Sequence, residues 1–432
     1  VASTPSPAGS IPPLIRRHTL ILFLAQACLS SAMSTAAQLG SLIVYSLSGT
    51  AALAGVPTAL TGLTVSTVGY PAGRFMDRRG RRPGLVLGFV VGITGALIML
   101  FAVTRRMLPI YLFGGMILAV STAVGQLSRA AAADMYPPHR RAQAVGIVVA
   151  GGLVGGIVGP SLVALGSRVA PQFGAEPLAV PWLFVIVVFL VALVLLRQLR
   201  PDPRDIAQRL PEYYPGVPGV SDASAAVTGG RTVGEILGMK PAHAAIVAMA
   251  CAQATMNMLM ATAALMLKLH GHDTSTISLA FMAHIAGMFA LSVPAGRLAD
   301  RVGRVPVLIA GALLSASSGL MFTLGVHLAW VAAIAFYLVG FGWCLAFVAG
   351  AALLSDLSGP LTRARVLGIA EVISHGLAVV ASVSSGVLLA RGGEATVGAL
   401  AFAFGSLPLL AILRAVRSSA PGPAAVPVQG GK

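Results

Sequence analysis

The chain has 432 residues, of which 56% are hydrophobic and only 10% charged, against about 25% charged in an ordinary globular domain. So dry a composition excludes a soluble fold of this size and leaves room for about a dozen bilayer spans of roughly 20 apolar residues each. The net charge of +16 would suggest nucleic acid in a soluble protein. Here it is read as topology, because cytoplasmic loops of membrane proteins collect Lys and Arg.

The first residues, VASTPSPAGSIPP, are rich in Pro and Ser and read as a disordered tail over 1–18. The apolar run after Arg16, Arg17 and His18 is too long for a signal-peptide core and reads as the first span. Apolar runs broken by charge or by Pro and Gly predict twelve spans, near 19–42, 49–71, 84–103, 108–131, 143–167 and 178–198, then 243–267, 275–295, 307–326, 329–354, 366–389 and 396–414. Helix is the expected element, since open strands cannot satisfy their backbone in lipid. The segment 199–242 holds six prolines and most of the soluble charge, and reads as a cytoplasmic linker. It divides a six-helix bundle over 19–198 from a second over 243–414, with a cytoplasmic tail at 415–432. Cys28, Cys251 and Cys344 all fall in apolar runs without metal-like spacing, so neither a disulfide framework nor a zinc site is expected.

With the N-terminus inside, only Arg105, Arg106, Arg168, Lys268 and Arg391 fall in outer loops, and the other 24 basic residues fall on or beside the inner side. Both termini are therefore expected in the cytoplasm, with the chain in the inner (cytoplasmic) membrane. The halves also repeat. PAGRFMDRRGRRP at 71–83 returns as PAGRLADRVGRVP at 294–306, and DMYPPHRRAQAVG at 134–146 as DLSGPLTRARVLG at 356–368. A third echo, AQA, places Gln26 and Gln253 in the first span of each half. Copies separated by six spans face the same side, so the repeats are parallel, an arrangement that puts a solute site between the halves.

These residues resemble the major facilitator superfamily, whose loop between spans 2 and 3 follows G-x-L-a-D-r-x-G-r-r. The first copy reads Gly73, Arg74, Phe75, Met76, Asp77, Arg78, Arg79, Gly80, Arg81 and Arg82, with Phe75 and Met76 departing from the usual Leu and Ala. The second copy keeps Gly296, Leu298, Ala299, Asp300, Arg301, Gly303 and Arg304. The resemblance implies an all-α polytopic fold of twelve helices in two parallel repeats, and a secondary transporter working by alternating access. Asp77 and Asp300 would latch the inner gate, accepting from a helix N-terminus and pairing with Arg. Arg79 and Arg82 read more simply as topology anchors. Drug–proton antiporters of the family carry G-x-x-x-G-P-x-x-G-G in span 5. This chain offers Gly151, Gly155, Gly159 and Pro160 without the closing glycines, a packing stripe with a kink at Pro160 and modest support for efflux. The Arg those antiporters carry early in span 4 is absent near Gly114 and Gly115. Arg129 lies at the cytoplasmic end of span 4, within reach of Asp134, and Asp356 occupies the matching place in the second half.

Only one acidic residue, Glu371, falls inside a span, about a turn and a half into the eleventh. An intramembrane carboxylate is a functional-site hypothesis by default. His375 lies one turn deeper on the same face, a pairing that suits a proton relay; the other reading pairs Glu371 with a gate Arg such as Arg78 or Arg81. His284, mid-span 8, is either a packing residue or a coupling group. Span 1 carries Gln26, Ser30, Ser34 and Gln38 at a spacing of four, and span 7 carries Gln253 and Asn257. Such stripes do not face lipid, and spans 1, 4, 7 and 10 line the cavity in the family. With Trp343 as an aromatic wall of span 10, they are the candidate solute contacts. The alternative reading for the hydroxyls is interhelical bonding.

The sequence thus predicts a proton-coupled carrier of a small, neutral or weakly charged, moderately apolar solute. It favours efflux and a monomer, with no cofactor, no bound metal, no nucleic acid and no enzymatic constellation. Two alternatives stand beside it: a non-transporting sensor or partner protein of the same fold, and a soft-metal carrier using Met256, Met258, Met260, Met266, Met282 and Met288 with His284.

Overall fold

The computed structural model describes residues 11–137, 140–214, 232–358 and 363–419. Among them every regular element is helical. In the N-terminal half the membrane helices are α1 (Pro13–Ser48), α2 (Val56–Arg79), α3 (Arg81–Thr104), α4 (Leu108–Gln126, prolonged by Ser128–Asp134), α5 (Arg141–Val169) and α6 (Val180–Arg197). The C-terminal half has α7 (Lys240–Leu269), α8 (Thr274–Phe289, prolonged by Ser292–Val302), α9 (Arg304–Gly325) and α10 (Ala329–Leu357). The last helical stretch, Arg363–Ser419, is two helices, α11 and α12, meeting at Gly393, whose φ of 68° and ψ of −169° only glycine adopts readily. Each predicted span has its helix, and the fold is the all-α polytopic one expected. Several helices overrun their predicted limits. At about 1.5 Å per residue, the 36 residues of α1 reach about 54 Å, well beyond a hydrocarbon layer of about 30 Å.

The repeat is physical as well as textual. Gly80 joins α2 to α3 with φ 104° and ψ 159°, and Gly303 joins α8 to α9 with φ 94° and ψ 162°. One residue beyond each glycine an arginine crosses to an aspartate. Arg81 Nε donates to Asp134 at 2.8 Å, and Arg304 Nε donates to Asp356 at 3.2 Å. Arg304 also pairs with Asp300, one turn back. The side chain of Asp77, the matching residue of the first half, lies outside the described residues.

In one respect the halves differ. The start of the linker, 199–214, is packed rather than loose: Leu199 and Ile206 are buried in the N-terminal core, and Leu210 is buried as well. This brings Asp202 to the head of α3, where its carboxylate accepts from the backbone N–H groups of Arg81 at 3.0 Å and Arg82 at 2.8 Å. The first N–H groups of a helix have no partner within it, so a residue from beyond α6 caps α3. Arg204 Nη1 adds a bond to the Arg78 carbonyl, and His18 Nε2 bonds the Pro201 carbonyl. The linker residues 215–231, the tails 1–10 and 420–432, and part of the second echo at 138–139 lie outside the described residues.

Small residues set the helix spacing inside each half. α5 lies against α1 through the predicted glycine stripe. A Cβ on Gly151, Gly155 or Gly159 would sit 2.4, 1.9 or 2.4 Å from the carbonyl oxygen of Phe23, Ala27 or Ser31. The helix continues through Pro160 to Val169. Gly155→Ala must push α1 and α5 apart, so the full chain in detergent is expected to melt several degrees lower, an overpacking cost of about 1–3 kcal/mol. Gly146→Ala, on the same helix where a Cβ meets open space, is expected to leave the melting temperature unchanged.

Candidate functional site

The two halves meet over only part of their height. Toward the ends of α1 and α2 that bear Ser48 and Gly55, they touch closely. A Cβ at Gly55 would collide with the Ser382 carbonyl, one at Gly386 with the Ala52 carbonyl, and one at Gly156 with Ile285. Toward the chain ends and the arginine loops, a Cβ at Gly69, Gly73, Gly146, Gly368 or Gly376 would meet nothing within 4 Å. Between the halves lies a cavity of about 390 Å³, within the range of small-molecule sites.

Its wall brings together residues from both halves. Gln26, Ser30, Met33 and Ser34 come from α1, Tyr111 and Thr122 from α4, and Gln126 and Arg129 from the end of α4 and its prolongation. From the other half come Gln253, Met256, Asn257 and Met260 of α7, Phe281, His284, Met288 and Phe289 of α8, and His375 and Ser382 of α11. The wall is mostly apolar, with hydroxyls and side-chain amides as its polar groups.

Gln26 is held at both ends of its amide: Nε2 donates to Ser30 at 3.2 Å, and Oε1 accepts from Ser128 Oγ at 3.2 Å. Gln38 lies outside the lining and has a different task. Its Nε2 donates to Ser278 Oγ of the opposite half at 2.8 Å in a buried contact, a tie across the closed end. Arg168 Nη2 makes a second tie there, to Ser275 at 2.8 Å. Trp343 also stands behind the lining rather than in it, its indole N–H donating to Gln253 Oε1. His284 is buried, and its Nδ1 lies 3.1 Å from the Phe336 carbonyl. A carbonyl only accepts, so Nδ1 carries the proton and Nε2 is left an acceptor.

At the open mouth the charges are arranged in a way the sequence spacing did not show. Asp134 is engaged by Arg81, not by Arg129. Arg129 instead lines the cavity, its Nε buried without a hydrogen-bond partner, and Glu371 of the opposite half is an acidic charge near enough to favour its charged form. Glu371 is not bonded to Arg78 or Arg81. Its Oε2 lies 3.4 Å from Nδ1 of His375, as the one-turn spacing predicts. The cavity wall therefore includes a cation, Arg129. Of the methionines, Met256, Met260 and Met288 line the cavity while Met258 and Met266 are buried in the core. Among the described residues no group of three His, Cys, Asp or Glu is placed to hold a metal.

Twelve helices in two repeated halves, enclosing one cavity open at one face, define a membrane carrier of the alternating-access type. The chain matches the Major Facilitator Superfamily over residues 20–237 and 245–430, and it belongs to that family. It is 30% identical over 401 residues to the riboflavin transporter RfnT of Brucella anthropi, covering 92% of this chain and 95% of that one. It is 29% identical over 365 residues to the MFS-type transporter YdeG of Bacillus subtilis, covering 83% of each. Among solved structures, a D-xylose–proton symporter superposes with a TM-score of 0.73 at 17% identity, over 93% of this chain and 97% of that one. The protein is thus an integral membrane transporter of a small solute, and not an enzyme.

The Gln38–Ser278 bond is one of the few polar links that hold the closed end together. Ser278→Ala leaves a buried amide unpaired at a cost of about 1–3 kcal/mol, borne only by the state described here. Spin labels at Phe173 and Leu269, exposed at that end of the two halves, should show a longer-distance population growing in the variant. An unchanged distance distribution would remove Gln38 from the gate.

Proposed function

We propose that this protein exchanges protons for a small, neutral or weakly charged solute across the cell membrane. In this reading both termini are cytoplasmic, so the open mouth faces the cytoplasm, and a single chain carries the whole pathway. Gln26, Ser30 and Ser34 on one side and Gln253 and Asn257 on the other contact the solute, and Met and Phe side chains receive its apolar body. A flavin is the first solute to try, since the relative RfnT is a riboflavin transporter. Export is the favoured direction, on the resemblance of the α5 glycine stripe to that of drug–proton antiporters.

The observation that carries the coupling is the triad at the mouth: Glu371 beside His375 on α11, with Arg129 facing them from the other half. Ionised Glu371 attracts Arg129, and two such charges brought to about 4 Å gain on the order of 4 kcal/mol in surroundings of intermediate dielectric. Rocking the halves shut at this end brings the pair together. A proton on Glu371 removes the attraction and lets the mouth stay open, while His375 passes protons between the carboxylate and the cavity. Asp300 with Arg304 and Asp356, and Arg81 with Asp134, brace each half so that it moves as one body. Gly73, Asp77, Arg78, Gly296 and Arg301 complete the loops that slide past one another.

Proteoliposomes containing an internal pH dye test this directly. Addition of a transported solute should move protons in the wild type. Glu371→Gln should abolish proton movement while leaving solute exchange intact. Equal proton movement in both would make Glu371 a gate residue only and overturn its coupling role.

A further inference from the structure

α7 is almost wholly enclosed, and that makes its few openings informative. From 248 to 267 every residue is buried except Gln253, Asn257 and Met260, three positions on one helix face. All three line the cavity. With Met256, which also borders the cavity, the strip of α7 that a solute can touch thus consists of two amides and two thioethers.

The two amides are not free to turn. Gln253 Oε1 accepts from Trp343 Nε1, and an indole nitrogen can only donate. The oxygen must therefore face Trp343, and Nε2, with its two hydrogens, is the end left for the cavity. Trp343 is itself fixed, stacked on Phe347 with ring centroids 5.1 Å apart and planes 16° apart. Asn257 is set the opposite way. Its Nδ2 donates to the Gln253 backbone carbonyl at 2.9 Å, a group that can only accept, so Oδ1 is left for the cavity. One turn of α7 thus offers a donor and then an acceptor, each with its polarity locked from behind.

We infer that this strip reads the cis-amide edge of a planar heterocycle, a lactam or imide, with Gln253 Nε2 donating to the ring carbonyl and Asn257 Oδ1 accepting the ring N–H. The inference rests on the proposed use of the cavity as the solute site. A hydroxyl rotates to serve as donor or acceptor and gains nothing from a locked pair. A ring amide has fixed polarity and gains both bonds at once. The rest of the wall suits the flat body of such a ring. Met33, Met260, Met288 and Phe289 also line the cavity, and thioethers and aromatic edges pack well on π-faces. Trp343 touches no solute in this arrangement; it is a positioning residue.

The full chain in nanodiscs tests this with matched ligands: riboflavin and its N3-methyl derivative, hypoxanthine and its N1-methyl derivative, and D-xylose as a hydroxyl-only control. Binding is read by equilibrium dialysis. At least one N–H ligand should bind about 10-fold or more tightly than its methylated partner, as expected when a buried acceptor loses its donor, and more tightly than xylose. Asn257→Ala should bring the two members of that pair to within about 3-fold of each other. Trp343→Phe keeps the stacking ring but frees the Gln253 amide, so it should weaken the N–H ligand while leaving the melting temperature in place. Equal binding of N–H and N-methyl ligands, discrimination that survives Asn257→Ala, or preference for xylose would each overturn the inference. So would failure of every N–H ligand to bind. These outcomes leave the transporter reading standing if another solute drives protons in the proteoliposome assay, and only the loss of all such flux counts against that reading.

Discussion

A hydrocarbon layer offers no hydrogen bonds, and this constraint organises the molecule. Every backbone group within the spans must be satisfied by its own helix, and every polar side chain must turn from lipid toward a partner. Most hydroxyls comply locally, as Thr19, Ser66 and Ser374 do by bonding the carbonyl one turn back. Side-chain amides cannot close on themselves so readily, and they are where the structure spends its longer-range contacts. Gln26 reaches Ser128, Gln38 reaches Ser278, and Gln253 reaches Trp343. Each therefore marks a place where two helices are held in register, or where a polar group has been left facing the cavity on purpose.

The same constraint explains why the repeat is conspicuous at the membrane surface and faint within it. Inside the bilayer, many apolar side chains can fill the same volume, so the two halves have drifted apart in sequence. At the loops a short turn must reverse the chain, head a new helix and tie it to a neighbour. Gly80 and Gly303 share one backbone geometry open to glycine, and Arg81 and Arg304 each cross to an aspartate near the end of the fourth helix of their half. These are few solutions to a tight problem, and both copies keep them. The Asp202 cap breaks the symmetry because only the first half has a linker emerging beside it. It ties the start of the linker to the turn between α2 and α3.

Much of this was legible in the sequence for identifiable reasons. Apolar runs of span length can only be helices in lipid, and a 13-residue motif returning in order fixes two parallel halves. The spacing of four placed Gln26, Ser30 and Ser34 on one face, and Gln253 with Asn257 on another, and both faces do line the cavity. Periodicity tells which way a residue points but not how deep it lies or what meets it. Gln38 continues the α1 stripe yet belongs to the closed end, because three turns of helix carry it past the cavity. Asp134 lies near Arg129 in sequence but is claimed by Arg81, 53 residues away, through the turn at Gly80. The prolines and charge of 199–242 mark a linker but do not tell that Leu199 and Ile206 pack its start into the core of the first bundle. Trp343 read as a wall and stands one layer behind it.

The position of Arg129 shows how such a carrier can use one charge for two purposes. A guanidinium buried without its full set of partners is costly. In the open state Arg129 is partly relieved by the field of Glu371 across the gap; in a closed state the two would meet. In the coupling proposed above, that attraction favours the closed mouth, and a proton on Glu371 would remove the preference. The polar ties at the far end, Gln38 to Ser278 and Arg168 to Ser275, oppose that preference by holding the present state together. Alternating access needs the two sets to be nearly equal in free energy, since a carrier strongly biased to either state would stop turning over. Ties that do not titrate at one end and an ionisable pair at the other would meet that requirement in the proposed cycle, because only the second set changes strength with protonation.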